Sequence, residues 1–168
     1  MTEPSEATAA QRSRLVEQIV QAMREQQADR PCAAVIDRRL LRILAVGDGP
    51  PGTHIAWDDA NRDLERYGPV PGRDRVETLE HIEAFIEDEY APEETAIYRQ
   101  AFDAFQDAAT PADWRHLLGQ DHDAVRAFDA YIRDFHIVVA RMLMHGSRRP
   151  QVGMLGTDRI ARLAGDAS

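Results

Sequence analysis

The chain has 168 residues, 43% of them hydrophobic and 29% charged, which is enough to bury a core without disulfide or metal staples and too apolar for disorder. Its 20 basic residues face 29 acidic ones, and the formal net charge of −9 repels phosphate backbones unless a locally basic face forms. Every basic residue is Arg, because Lys does not occur, so Schiff-base, phosphate-loop and general-base lysine chemistry are excluded. Cys32 is the only cysteine, which excludes an intrachain disulfide and any multi-thiolate metal site and suggests a small core residue in an apolar run.

The first fourteen residues are polar, and the strictly apolar runs, such as Ile137–Ala140, extend to only about four residues. Neither a secretory signal nor a membrane span fits, and a cytoplasmic location is expected.

The spacing of apolar residues predicts helices and no convincing strand. Residues 1–7 are expected to be disordered. A first helix is predicted from Thr8 to Ala28, with Leu15, Ile19, Ala22 and Met23 on one face. Pro31 stops it and opens a second, Cys32 to Val46, in which Val35, Ile36, Leu40 and Ile43 recur at helical spacing. The short apolar run 33–36 also reads as a buried strand, but the fifteen-residue length and Arg38, Arg39 and Arg42 favour helix. Gly47 to Gly52 is a loop without the Lys-Ser/Thr ending of a phosphate site.

A short helix follows from Trp57 to Tyr67, and Gly68-Pro69-Val70-Pro71-Gly72 breaks the chain again. Asp74 and Glu77 form a capping-box-like start to a helix through Tyr90. Pro92 begins another, with Ile97, Ala101, Phe102 and Phe105 as its stripe, and Thr110-Pro111 caps a brief one ended by Gly119. The longest element is predicted over residues 121–145, with Val125, Phe128, Ile132, Phe135, Val139 and Met142 lining one face. Residues 147–168 read as an irregular tail in which Thr157 caps a short terminal helix. The expected fold is all-α: a single domain, 1–168, forming a helical bundle of about six to seven helices around a long central helix.

Several polar residues fall on apolar faces in this scheme. Successive steps of about 100° place Glu83 between Val76 and Tyr90, with Glu80 and Glu87 at the edge, and place Arg39 among Val35, Ile43 and Val46. A buried charge needs a partner, so Arg39 and Glu83 are either paired, boundary residues whose heads reach water, or ligand-binding groups. His122, Asp129 and His136 share one stripe of the central helix, but each step of seven residues rises about 10.5 Å, too far for one metal. Ligands on one helix need spacing of three or four, and the acid-x-x-His arrangement occurs at Asp113–His116. A metal site therefore requires Glu83 or Glu87 to meet Asp129 or His136 across the bundle.

Ser occurs at positions 5, 13, 147 and 168, and none sits in a nucleophile elbow. Arg148 and Arg149 follow a helix C-terminus, where they complement the dipole or offer an exposed pair to an anionic ligand or partner. Glu87-Asp88-Glu89 with Glu93-Glu94 is the densest acidic patch, a solvated junction or a face for a basic protein.

The pattern favours a non-enzymatic accessory or protein-interaction protein acting through an acidic helical surface, with a protein partner and neither nucleic acid nor membrane. Partner-binding candidates are Arg39, Glu83, Arg148 and Arg149. The alternative is a small metal- or ligand-binding enzyme or sensor with a carboxylate–His pocket, its ligands Glu83, Glu87, Asp129 and His136 and its cofactor a non-haem metal; otherwise no cofactor is expected. A DNA-binding regulator is a third class, weakened by the net charge and by the missing basic recognition helix.

Overall fold

The computed structural model describes residues 5–25, 33–72, 75–89, 99–100, 103, 122–146 and 157–165. The chain divides into two compact units, Met1–Arg73 with Val139–Arg149, and Asp74–Val138 with Pro150–Ser168.

The first unit contains α1 (Ser5–Glu25), β1 (Ala34–Asp37), β2 (Arg42–Val46), β3 (His54–Ile55), α2 (Trp57–Asn61) and β4 (Tyr67–Pro69). The strands form one mixed sheet in the order β3-β2-β1-β4, antiparallel except for the β2–β3 pair. This sheet overturns the expected all-α helical bundle, and the error lies at residues 32–46. The segment read there as one helix is a hairpin, with Val35 opposite Leu44 and Ile36 opposite Ile43.

The physical reason is that short β-branched runs bury both faces as a strand as readily as one face as a helix. Val35 and Leu44 pack with Ala60 of α2, and Val46, Ile55 and Tyr67 close that cluster. Residues two apart share a face of a strand, so Ile36 and Ile43 lie on the other side. Ile43 there meets α1, whose Leu15, Ile19, Val20 and Met23 are buried. Each such aliphatic side chain stabilises the unit by about 1.5–3 kcal/mol when fully buried.

The predicted helix from Trp57 to Tyr67 is also shorter than expected. It stops at Asn61, and the chain turns through Asp63, whose carboxylate accepts the Arg66 backbone N–H at 3.1 Å, before Tyr67 enters β4.

In the second unit lie α3 (Arg75–Glu89), the first part of α4 (His122–Met144) and α5 (Thr157–Gly165). Its core is aromatic. Phe85 meets Phe128 edge-on at 5.2 Å and Tyr131 at 5.8 Å, with Ile82, Ile86, Phe135 and Ile160 buried as well. On α4, Phe128, Phe135 and Val139 of the predicted stripe are buried, whereas Val125, Ile132 and Met142 are half-buried. Tyr131 and His136 occupy the inner face alongside them, so the apolar face is rotated from the one projected. No described helix is long and apolar enough to cross a membrane.

The predicted helix at 110–119 and the tail at 147–156 lie outside the described residues, as does Cys32; of the helix after Pro92, residues 99–100 and 103 are described and helical.

Candidate functional site

Charged side chains gather at the loop end of the sheet around Asp37. Asp37 ends β1 and is fully buried, so its carboxylate must find donors. The turn supplies two: the backbone N–H groups of Arg39 and Leu40 donate to Oδ1 at 3.1 and 3.2 Å, an Asx turn that shapes the hairpin. Arg66 supplies a fork, Nε to Oδ1 at 3.1 Å and Nη2 to Oδ2 at 2.9 Å. Burial alone pushes the Asp37 carboxyl up, but the bonds from Arg66 and from the Leu40 and Arg39 backbone outweigh it and hold it below the usual value. Arg66 is correspondingly held more firmly protonated by its hydrogen bond to Asp37, and its guanidinium lies 4.8 Å from the Tyr67 ring centre.

Arg38 performs a different task. Its Nη1 donates to the carbonyls of Leu64 and Glu65 at 2.8 and 2.9 Å, and its Nε donates to Leu143 at 2.7 Å. Leu143 stands in the last turn of α4, where carbonyls lack helical partners and the helix dipole favours a cation. Gly146, at φ +72, then lets its own N–H return to the Leu143 carbonyl. Partial burial lowers the Arg38 pKa from the ordinary arginine value.

Two guanidinium groups at this end retain donors. Arg42 forms a long ion pair with Asp37, 4.0 Å from a buried Nε that has no hydrogen-bond partner among the described residues, and the rest of its guanidinium belongs to a side chain that is 41% exposed. Arg39 is exposed in the turn, and no described residue bonds its side chain. Beside them stand two exposed leucines, Leu40 at 52% and Leu64 at 63%. Residue 41 completes the turn in the left-handed region, at φ 49, although it is a leucine.

Two other features carry polar groups. A shallow groove of about 570 Å³ runs along α1, lined by Glu17, Gln18, Gln21, Ala22, Glu25 and Ile43. In the second unit, α3 turns His81, Ile82, Phe85 and Ile86 inward and leaves Glu80, Glu83 and Glu87 exposed. His81 Nδ1 and the Tyr131 hydroxyl share a hydrogen bond of 3.2 Å, and the His81 ring meets Phe135 edge-on at 4.4 Å. Burial, with a smaller contribution from the Asp88 charge, raises the Tyr131 phenol above its ordinary value.

These positions change the premises of the site reading. Arg39 stands exposed in a turn rather than on an apolar helix face, and Glu83 is exposed on α3, so burial does not force either to find a partner. Glu87 is exposed and paired with Arg99, Asp129 is half-buried on α4, and His136 is buried on α4. Among the described residues, no three His, Cys, Asp or Glu side chains come together where a metal could be held. Arg148 and Arg149 lie outside the described residues. Sequence reasoning missed Asp37 and Arg66 altogether. The signal that could have found Asp37 is an Asp closing a short apolar run just before two arginines, the position of an Asx turn.

No family model, no curated protein and no solved structure matches the chain.

Proposed function

We propose that the protein is a non-enzymatic interaction protein that binds a basic surface of a partner protein through acidic helical faces. The observation that carries this reading is the row Glu80, Glu83 and Glu87 on α3, exposed while the opposite face of the same helix is buried. Spacing of three and four puts these carboxylates side by side, where like charges weaken a helix by a few tenths of a kcal/mol per pair, roughly 0.2–0.5. The row therefore works against α3 itself, and a cationic partner would relieve that repulsion. Arg99 already forms an ion pair with Glu87, which illustrates the kind of group the row accepts. The α1 groove adds Glu17 and Glu25 around the half-buried Ile43, a second acidic helical face with an apolar floor. The same proposal places the protein in the cytoplasm, in keeping with its single cysteine.

The test is affinity capture from cells by the full chain and by a Glu80→Gln/Glu83→Gln/Glu87→Gln variant at physiological salt. Stoichiometric capture of one protein by the wild type and its loss with the variant is expected. Equal capture by both, or no stoichiometric partner, would overturn the reading.

A further inference from the structure

The loop end of the sheet has the opposite character to the helical faces, and the acidic-face reading makes no use of it. We propose that this end is a separate docking surface for a short acidic segment of a partner protein that also carries aliphatic side chains. Arg39 and Arg42 take its carboxylates, and Leu40 and Leu64 take its aliphatic groups.

The placement follows from the hydrogen bonds. The Leu40 backbone N–H and the Arg66 guanidinium bind one carboxylate, that of Asp37, and Arg38, two residues before Leu40, binds the Leu64 carbonyl. The turn at 38–41 and the loop at 62–66 are therefore held against each other, and both leucines belong to this end of the sheet. One exposed leucine is ordinary on a protein surface. Two on adjoining loops, more than half exposed, with the exposed Arg39 and the 41% exposed Arg42 side chain at the same turn, form a mixed apolar and cationic surface suited to a protein segment.

The charge count identifies the occupant. Arg66 is committed to Asp37 and Arg38 to three carbonyls, so the remaining cationic capacity comes from Arg39 and from the exposed end of Arg42, whose Nε faces Asp37. Two open guanidinium groups match a segment with one or two carboxylates. A polyanion would need more cationic groups than these two. The leucines, moreover, have no use against a phosphate backbone. Backbone addition at the sheet edge is a poorer match, because β4 is three residues long and ends in Pro69.

The experiment is fluorescence anisotropy on the full chain with a short fluorescein-labelled peptide of alternating Glu and Leu. Two further labelled probes are compared with it, an all-Glu peptide of the same length and oligodeoxythymidylate. Saturable binding of the Glu/Leu peptide is expected, with each comparison probe at least about tenfold weaker. Arg39→Glu should weaken it by about tenfold and Leu64→Ser by severalfold, with circular dichroism unchanged, since both side chains are exposed. The α3 glutamine variant should bind the peptide as the wild type does, which separates this surface from the acidic one. Undiminished affinity in Arg39→Glu, equal binding of the all-Glu peptide, tighter binding of the oligonucleotide, or no saturable binding would each overturn the proposal.

Discussion

Replacing Asp37 by Ala tests whether the buried carboxylate organises the loop end of the sheet. The substitution leaves the Arg39 and Leu40 backbone N–H groups without their acceptor and frees the Arg66 fork. Each lost backbone bond costs about 1 kcal/mol, and the small void left by a fully buried side chain adds to it. A loss of about 2–3 kcal/mol in unfolding free energy near neutral pH is expected. Asp37→Asn keeps an oxygen for the backbone donors but turns an N–H toward Arg66, so its deficit should be smaller than that of Ala.

The pH dependence follows from linkage. Asp37 has a lower pKa folded than its ordinary 3.8, so its charge contributes stability that is present above 3.8 and lost as pH falls through the folded value. Urea unfolding followed by circular dichroism should therefore show the wild type and Asp37→Asn remaining apart above the ordinary 3.8 and converging as pH falls through the lower folded value. A midpoint for Asp37→Ala equal to wild type near neutral pH would refute the reasoning. So would a deficit in Asp37→Asn that stays constant into acid.

Other substitutions probe the remaining contacts. A Cβ at Gly68 would lie 2.4 Å from Arg38 Nη2, and Arg38 is pinned by three carbonyls, so Gly68→Ala should cost about 1–3 kcal/mol by urea unfolding. In an Arg38→Ala background the same change should cost distinctly less, which a double-mutant cycle reads directly. Tyr131→Phe removes the hydrogen bond to His81 and should cost about 1 kcal/mol near neutral pH. Because burial raises the Tyr131 phenol above its ordinary 10.0, its contribution is present below that value and lost above it, so wild-type stability should fall more steeply than that of Tyr131→Phe from about pH 10 upward. Ile160 of α5 is buried and Leu163 is 42% exposed, so Ile160→Ala should lower the unfolding free energy by about 2–4 kcal/mol and Leu163→Ala by less than about 0.5.

The long helices were readable because their apolar period persists over several turns: α3 was expected over 74–90 and α4 over 121–145, within two residues of their observed bounds. The strands were not. Ala34–Asp37 and Arg42–Val46 are four and five residues long, too short for periodicity to separate strand from helix. The turn between them hid as well, because its left-handed position holds Leu41 where Gly or Asn would have marked a break. A helix over residues 32–46 would put Arg39 on an apolar face, whereas the hairpin leaves it exposed in the turn. Glu83 was misplaced for another reason. The expected face rests on Val76 and on Tyr90, the latter outside the described residues, whereas Ile82, Phe85 and Ile86 set the buried side of α3. The Asp37–Arg66 pair, 29 residues apart, has no local signature and required the sheet to be known.

The bond from Arg38 to the Leu143 carbonyl has a consequence for how the protein is made. It joins residues 105 apart, and the unit built around the sheet includes Val139–Arg149 as well as the first 73 residues. A ribosome adding about 5–20 residues per second needs on the order of 5–20 s to travel from one partner to the other. Throughout that interval, in which the second unit's first segment is synthesised, the emerging hairpin lacks the helix end that Arg38 caps. The four strands, all within residues 34–69, are thus made long before the helix end that Arg38 caps, and nascent chains stalled before residue 143 should display a protease-sensitive hairpin that longer ones protect.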